Sequence, residues 1–396
     1  MNITFLGSSS PSYIVKELLR MGSYVNFAGN TLQQALLSGF SELIPNFKVI
    51  SGWNVSPFPK VRKLHFNRRQ VDEVGIDSYV YVGGSNIWLM DRVTRFFRCR
   101  RELKRTIPIN GESAVIVYET HSPFLLAATT LRKRIKHICL IIPDLPQYMS
   151  GNTNKVYLFL KKIDAIIINH CLRKIDSFAL LSEGMAEVLP IEGKKWIVME
   201  GIYQDSVSSE KPIEKDPHKV IMYAGGIHGR RGTELLLEAF ELIKDEDYRL
   251  WIRGDGDDEM KAKILSLSKQ DSRVTYFEPM HRGELLRMEQ TATVMVNPTQ
   301  PSLEFTKYFF PSKTMEYLAS GTPTVMFHLA CMPKEYDDFL FYVEEEGAEA
   351  LKNKLVEVCE LPEEIRSQFG ERARSFILKN KTPQIQCRRI INLIDN

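Results

Sequence analysis

Short runs of apolar and often β-branched residues recur along the chain, and stretches with helical spacing separate them. Such runs are typical of parallel strands covered by helices on both faces, so the alternation predicts an α/β fold with doubly wound sheets. The first series of predicted strands is 3–6, 24–27, 47–50, 78–82, 114–118, 137–142, 165–169 and 177–181. The second series is 219–223, 249–253, 274–277, 293–296 and 322–326.

The two series are separated by a polar segment, 205–218, which is rich in Ser, Glu, Lys and Pro and has no apolar period. A chain of 396 residues also exceeds what one hydrophobic core usually organises. We therefore predict two Rossmann-like domains, 1–205 and 206–375, with a linker at the start of the second. The tail from about residue 362 has helical spacing.

Composition places few limits on function. Apolar residues make up 44% and charged residues 26% of the chain, as in ordinary globular proteins, and a net charge of +3 does not suggest a nucleic-acid binder. The six cysteines are scattered, which argues against structural zinc or a disulfide framework and favours a reducing, cytoplasmic location. The N-terminus does not read as a signal peptide, and no apolar run approaches the roughly 18–20 residues of a membrane span.

Segment 310–325 is the most informative local motif, because it combines a helix start, an apolar face and a Gly-Thr-Pro break before a short strand. Pro311 is suited to the first helical turn and Ser312 to a cap. Met315 and Leu318 lie on the predicted apolar face, and Gly321 ends the helix.

Two charged residues of this helix are unusual for a purely structural element. Lys313 lies in the first turn, where the helix dipole disfavours a cation unless an anion is bound there as well. Glu316 is one position too late for a capping box with Ser312, but its carboxylate is suited to accept hydrogen bonds from ligand hydroxyls. A solvated helix with two unhelpful charges is the alternative, and local propensity does not decide between them.

A second motif, 222–232, is a strand that ends in Gly225 and Gly226 and is followed by a helix. The glycines allow close approach of the backbone to a ligand, and Arg230 and Arg231 offer forked donors suited to phosphate. The alternative is a solvated turn with two surface arginines. After the next predicted strand, Arg253 and Gly254 begin a Gly-x-Gly turn, which by itself is a weak signal.

In the first half, polar residues follow several predicted strands. His121 and Asp144 each stand at the carboxyl end of a strand, where ligands of such sheets bind. Asp144 is suited to a ligand hydroxyl or simply to capping a turn. Ser8 and Ser9 belong to a polar loop after the first strand, which we expect to be flexible and to face the ligand-binding edge of the sheet.

Segment 92–105 is strongly basic, with Val93, Phe96 and Phe97 at helical spacing beside the arginines. A helix of this kind can lie on an anionic membrane surface, and a core helix with a solvated basic face fits equally well. Nucleic acid is a less suitable partner, since no aromatic stacking platform accompanies the charge.

These motifs together resemble the group 1 glycosyltransferases, the family 4-like retaining enzymes of the GT-B fold. The resemblance implies two Rossmann-like domains facing across a cleft, with a final helix, 376–396, that packs back on the N-terminal domain. It also implies that Glu316 holds the ribose of a nucleotide and that Lys313 and Arg231 face its diphosphate. Tyr308 stands where the family often has a first glutamate, so the paired-glutamate motif is incomplete here.

By this resemblance, His121, Arg231 and Lys313 are the catalytic candidates, and Ser8, Ser9 and Asp144 lie on the acceptor side. The donor-binding candidates are Gly225, Gly226, Arg230, Arg253, Gly254, Phe310, Pro311, Ser312, Thr314 and Glu316. The implied enzyme is a hexosyltransferase for polysaccharide biosynthesis, which uses a nucleotide diphosphate sugar as donor substrate and needs no metal or cofactor. Its acceptor is a hydroxyl of a glycan or lipid-linked sugar, and peripheral membrane contact through 92–105 is consistent with this. A catalytically silent partner in glycan assembly and a sugar-nucleotide epimerase remain alternatives.

Overall fold

The computed structural model describes residues 2–109, 112–145, 155–204 and 213–395. The chain divides into two compact units. The first unit contains residues 1–202 together with 383–396, and the second contains residues 203–382. The boundaries therefore lie near 202 and 382, where the sequence predicted 205 and 375.

The first unit is built on a mostly parallel sheet with strand order β10-β9-β8-β7-β1-β2-β5-β4, in which only β4 runs antiparallel to its neighbour among the described strands. The strands of the sheet are β1 (Asn2–Gly7), β2 (Lys48–Gly52), β4 (Arg69–Val71), β5 (Ser78–Val82), β7 (Ser113–Tyr118), β8 (Ile135–Ile142), β9 (Ser177–Leu180) and β10 (Lys195–Val198). A separate antiparallel pair consists of β3 (His65–Phe66) and β6 (Gly84–Ser85). The parallel strands are buried along most of their length, as expected for a sheet covered on both faces.

Helices cover this sheet and include the end of the chain. They are α1 (Ser12–Arg20), α2 (Phe27–Leu43), α3 (Met90–Thr106), α4 (Ser122–Thr129), α5 (Lys155–Leu172), α6 (Gly184–Val188) and α13 (Pro383–Asp395). α13 packs on α2, where Cys387 and Ile390 are fully buried. The Gln386 side-chain amide donates to the Gly201 carbonyl at 2.9 Å. The last helix is therefore part of the first unit, as the GT-B resemblance implied.

The second unit contains a parallel sheet with strand order β13-β12-β11-β14-β15-β16. Its strands are β11 (Lys219–Ala224), β12 (Tyr248–Arg253), β13 (Val274–Phe277), β14 (Val294–Asn297), β15 (Thr324–Phe327) and β16 (Phe341–Val343). Its helices are α7 (Thr233–Glu241), α8 (Asp258–Gln270), α9 (Arg282–Thr291), α10 (Ser312–Ser320), α11 (Ala348–Glu360) and α12 (Glu363–Asn380). The prediction of two doubly wound parallel sheets is confirmed.

Two strand predictions are wrong. Segment 24–27 leads into α2, whose N-cap Asn26 accepts a hydrogen bond from the Gly29 amide at 3.1 Å. Segment 165–169 belongs to α5, because its run of isoleucines continues a helix that began ten residues earlier. A short apolar run does not separate a strand from a buried helix segment unless its flanks do so. The predicted linker 205–218 lies partly outside the described residues.

No helix within the described ranges is both long enough and apolar enough to cross a membrane. The six cysteines are free thiols, and all of them are buried.

Candidate functional site

In the second unit, the strand order changes direction between β11 and β14. The chain passes from β11 through α7 to β12 on one side, and from β14 through α10 to β15 on the other. In open α/β sheets, ligands bind at the carboxyl ends of the strands beside such a switch point. Two loops begin there, 225–232 after β11 and 298–311 after β14.

The two loops touch through a glycine. Gly232 has a φ of 78°, and a Cβ built on it would lie 1.9 Å from the Pro298 carbonyl oxygen, so no side chain fits. Thr299 Oγ1 donates to the Arg231 carbonyl at 3.5 Å. The Arg231 guanidinium lies 5.1 Å from the ring centre of Phe309 and 5.7 Å from that of Phe305. Arg231 is thus positioned by aromatic faces next to the switch point.

The glycines after β11 and β12 are explained first by backbone packing. A Cβ on Gly254 would lie 1.8 Å from the Gly225 carbonyl oxygen, and one on Gly256 would lie 2.0 Å from the Ile227 carbonyl oxygen. A parallel bridge between Ile227 and Gly256 joins the same loops. These contacts fix the loop that holds Gly226, whose carbonyl accepts a hydrogen bond from the Tyr223 hydroxyl at 2.7 Å.

α10 is tied to the ends of both switch strands. The Tyr317 hydroxyl donates to the Ala224 carbonyl at 2.9 Å and accepts from the Ala224 amide at 3.1 Å, at the end of β11. The Asn297 side-chain amide donates to Thr314 Oγ1 at 3.2 Å, at the end of β14. Because these residues are buried, the start of α10 is held rigidly at the carboxyl edge of the sheet.

The start of α10 differs in detail from the prediction. Pro311 is the N-cap and Ser312 is the first helical residue, and no side chain caps the helix. Phe310, Pro311 and Thr314 are buried, and Phe310 packs on Tyr336 with ring centres 5.6 Å apart. The side chains of these three predicted donor-binding residues are therefore packed inside the unit, whereas Ser312 is exposed.

Lys313 and Glu316 project from the first turns of α10 and contact each other. Lys313 Nζ lies 2.6 Å from Glu316 Oε2, and about a third of each side chain is exposed. The structure thus brings together two residues that the family resemblance assigned to separate parts of a nucleotide. The pair places a cation and a carboxylate at a helix N-terminus, where an incoming anion and a hydroxyl can each find a partner.

Two buried polar groups interact electrostatically here, and the sequence predicted only Arg253 as part of a site. Glu289 of α9 is 2% exposed and its Oε1 has no hydrogen-bond partner, and Arg253 Nε is likewise buried without one. Burial and the nearby Glu316 carboxylate raise the pKa of Glu289 to about 8, against the opposing effect of Lys313, Arg282 and Arg253. Glu289 follows the buried Leu285 by four residues on one helical face, and this spacing was a usable signal.

The first unit has its own polar centre at the carboxyl end of β7. His121 is the N-cap of α4, and its Nδ1 is buried without a hydrogen-bond partner. Its ring lies 4.8 Å from that of Phe124 in an edge-on arrangement. Burial, together with Arg95 and Arg92, lowers the pKa of His121 well below its usual value. The imidazole is therefore neutral near pH 7, and its unpartnered Nδ1 is available for a hydrogen bond.

Strain and a raised carboxyl pKa mark the residue two positions before His121. Glu119 has a φ of 74°, which a side chain other than glycine rarely adopts. Burial raises the pKa of Glu119, the exposed Asp144 after β8 adds to this effect, and Arg95 opposes it. Tyr118 and Thr120 also have buried hydroxyl oxygens without a hydrogen-bond partner. Nothing in the sequence pattern indicated that Glu119 is strained.

A small, solvent-open pocket lies in the same unit. Its lining residues come from the ends of β2 and β5, from β3 and β6 and from α3, and they are Trp53, Val55, Phe66, Val82, Gly83, Gly84, Ser85, Asp91 and Arg95. Arg95 Nη2 donates to the Trp53 carbonyl at 2.9 Å, and the Trp53 indole nitrogen is buried without a hydrogen-bond partner. An aromatic floor with an arginine and an aspartate beside it is suited to a polyhydroxylated ligand.

The loop after β1 is closed rather than flexible, contrary to our expectation. Ser8, Ser9 and Ser10 are buried, and the Ser9 carbonyl accepts hydrogen bonds from Ser51 and from two tyrosine hydroxyls at 2.7–2.9 Å. Ser9 Oγ lies 2.6 Å from the Tyr79 hydroxyl, and the Ser8 amide donates to a glutamine side chain. With these groups engaged, Ser8 and Ser9 support the sheet edge and are not open to an acceptor.

The comparison with known families is decisive for the second unit. Residues 218–360 match the family model described as glycosyl transferases group 1. The second unit is therefore similar in sequence to the group 1 glycosyltransferases over this range. No curated protein is similar enough in sequence to match this chain.

Solved structures share the fold of this chain at low sequence identity. A sucrose-phosphate synthase from Thermosynechococcus elongatus has a TM-score of 0.62 at 13% identity, over 99% of this chain and 98% of that one. The lipopolysaccharide outer core galactosyltransferase WaaB has a TM-score of 0.61 at 16% identity, over 100% and 99%. Anabaena HepE in complex with UDP has a TM-score of 0.64 at 11% identity, over 100% of both chains. The chain therefore has the GT-B fold.

The structure groups the predicted residues unevenly. Lys313 and Glu316 are in contact, and both act electrostatically on the buried and unpredicted Glu289, as Arg253 does. Arg231 lies beside Phe305 and Phe309 at the neighbouring loop. The side chain of Arg230 lies outside the described residues, and His121 and Asp144 belong to the first unit.

Proposed function

We propose that this group 1 glycosyltransferase moves a hexosyl group from a nucleotide diphosphate sugar to a hydroxyl of a glycan or lipid-linked acceptor, with retention of configuration. The observation that carries the proposal is the Lys313–Glu316 pair on a helix start anchored to the ends of β11 and β14. A diphosphate is a suitable ligand for such a helix start, and HepE, which shares the fold, has a structure in complex with UDP.

In the proposed reaction, the bond between the anomeric carbon and the diphosphate oxygen breaks, and a bond to the acceptor oxygen forms. The departing diphosphate gains negative charge, which Lys313, Arg231 and the amides at the start of α10 are placed to stabilise. The acceptor proton passes to an oxygen of the departing phosphate, so no carboxylate nucleophile is needed. No cofactor or metal takes part, and the nucleotide sugar is a substrate.

In the first unit, we assign the acceptor to the pocket lined by Trp53, Asp91 and Arg95. His121 lies at the end of β7, within electrostatic reach of the pocket residue Arg95, and offers a neutral imidazole to a sugar hydroxyl. Asp144, which is exposed after β8, is a further hydrogen-bond acceptor for such a ligand. We place the reaction in polysaccharide biosynthesis in the cytoplasm, with the protein at the inner face of the membrane.

The test is donor binding by a Lys313→Ala variant, with UDP as the probe in isothermal titration. Loss of one charge-assisted hydrogen bond to phosphate weakens binding about 10- to 100-fold. Lys269→Ala removes an exposed lysine from α8 of the same unit and should leave UDP affinity unchanged. Equal affinity of Lys313→Ala and the parent protein would contradict the assigned role.

Turnover is tested separately with a panel of nucleotide sugars. Slow release of the nucleoside diphosphate supports transfer, because water can replace the acceptor. UDP binding without release from any donor would instead point to a catalytically silent partner in glycan assembly.

A further inference from the structure

An exposed apolar surface lies at the start of α3 in the first unit. Leu89 caps the helix with a φ of 66°, and the segment before it turns outward rather than into the core. Six apolar side chains here are each at least 41% exposed, and we call them the apolar tip: Ile87, Trp88, Leu89, Met90, Val93 and Phe97. Monomeric proteins rarely expose so many large apolar groups in one place unless the surface binds something.

Basic side chains continue the same helix beyond the tip. α3 buries Cys99 and Leu103, so its exposed face runs from Val93 and Phe97 into a set that we call the basic collar: Arg98, Arg101, Lys104 and Arg105. Arg134 Nη1 lies 3.5 Å from the Lys104 carbonyl, which brings the basic segment Arg132–Arg134 beside the end of the collar. The surface is therefore apolar at one end and strongly cationic at the other.

A neighbouring helix adds exposed apolar groups. Arg92 of α3 lies 2.8 Å from Asp164 of α5, and both helices pack on α4. The exposed apolar side chains of α5 include Phe159 and Ile166, which are 63% and 70% exposed. The described part of α5 is thus unusually apolar on its outer side for a helix in contact with water.

The apolar tip directly adjoins the pocket of the first unit. Ser85, Asp91 and Arg95 line that pocket, and residues 87–90 lie between them in the chain. A partner seated on the tip would therefore lie at the pocket mouth.

We propose that the apolar tip and basic collar dock the first unit on an anionic lipid bilayer. The tip inserts among the headgroups while the collar pairs with lipid phosphates, which is how amphipathic surface helices bind membranes. Resting on the proposed function, this orientation places the acceptor pocket at headgroup level, where the sugar of a lipid-linked acceptor is presented.

The charge pattern favours a lipid surface over a protein partner or a second copy. α3 contains seven basic residues but only two acidic ones, Asp91 and Glu102. Both acidic side chains are paired with arginines of this unit. A second copy would set one cationic collar near another. A bilayer with anionic headgroups can bury the apolar tip and pair with the basic collar at the same time.

The experiment is flotation of the full-length protein with vesicles of phosphatidylcholine alone or with 30% phosphatidylglycerol (about one anionic lipid in three, the range in which such electrostatics act). We expect binding to the anionic vesicles that weakens at high salt. Arg98→Gln/Arg101→Gln should weaken binding about 25-fold, since each basic residue contributes about fivefold. Trp88→Ser/Phe97→Ser should weaken it more than about tenfold through lost apolar burial.

Matched controls lie on the second unit. Lys269→Gln/Lys379→Gln removes two exposed charges and Leu265→Ser/Ile365→Ser two exposed apolar side chains, and both should bind as the parent protein does. Unchanged melting temperatures and unchanged UDP affinity would show that the tip and collar variants remain folded. The proposal is overturned if the parent protein does not float, if tip or collar variants float equally well, or if the tip variants instead lose self-association in sedimentation. Vesicle binding needs no nucleotide sugar, so its failure is distinct from failure of the proposed transfer.

Discussion

At the scale of single residues, Glu289 links the candidate donor site to the stability of the second unit. In the folded protein its pKa is about 8, above the ordinary value of 4.5. As pH rises, the unfolded chain therefore loses this proton at a lower pH than the folded protein does. The free energy of unfolding should therefore fall as pH rises from about 4.5 to 8, by about 2–5 kcal/mol in total. Glu289→Gln should remove this loss and be more stable than the parent at pH 8, as measured by urea unfolding across that range.

The control is Glu284→Gln, which removes an exposed carboxylate from the same helix. It should change the free energy of unfolding by no more than about 0.5 kcal/mol. That free energy should vary with pH as it does in the parent protein. Identical pH profiles for Glu289→Gln and the parent protein would show that the buried carboxyl is ionised at no cost, contrary to our account.

At the scale of elements, α10 depends on one hydroxyl for its connection to β11. Tyr317→Phe keeps the ring but leaves the Ala224 amide and carbonyl without their side-chain partner in a buried site. An unsatisfied buried group costs about 1–3 kcal/mol, so we expect a loss of that size in the free energy of unfolding. Because the helix carries Lys313 and Glu316, UDP affinity should also fall, which calorimetry measures.

Tyr342→Phe supplies the comparison, since its hydroxyl bonds Asp337 at an exposed position. That variant should lose less than about 1 kcal/mol and keep its UDP affinity. If Tyr317→Phe retained full stability and affinity, the anchoring role of the hydroxyl would be refuted.

At the scale of the whole molecule, the first unit is completed by the end of the chain. A Cβ on Gly39 of α2 would lie 2.4 Å from the Pro383 carbonyl oxygen and 2.7 Å from Cys387 Sγ of α13. Replacing a helical glycine by alanine normally stabilises by about 1 kcal/mol. Here Gly39→Ala should instead destabilise by about 1–3 kcal/mol, because α13 is forced away from α2. Thermal unfolding of the full chain shows whether the substitution lowers or raises stability.

Ser38→Ala on the same helix adds no atoms at the α13 contact and should change stability by less than about 0.5 kcal/mol. A more stable Gly39→Ala protein would mean that α13 does not pack closely on α2.

The strands and helices predicted correctly are those with an unambiguous period or terminus. Segment 78–82 coincides with β5, and the helix predicted after Pro311 ends at Gly321, which has a φ of 80°. Segment 165–169 misled the prediction because isoleucine runs suit a strand and the apolar side of a helix alike. Its context, a helix begun at Lys155, is what decides it.

For the sites, the sequence indicated residue types and the structure decided their partners. Lys313 and Glu316 were predictable as ligand-binding charges, but their mutual contact at 2.6 Å was not. The polarity of the serine loop after β1 predicts an exposed loop. Instead, the loop is hydrogen-bonded to a buried tyrosine from a strand seventy residues later. Glu289 becomes notable only where α9 brings its carboxyl under α10.

Local periodicity and residue chemistry were enough to predict the alternation of strands and helices, the two-domain organisation and the charged residues at the start of α10. Contacts between distant segments set which of those charges meet, which polar groups lose water, and that the apolar residues at the start of α3 face outward. Burial and pairing depend on residues far apart in the chain, so no local pattern contains them.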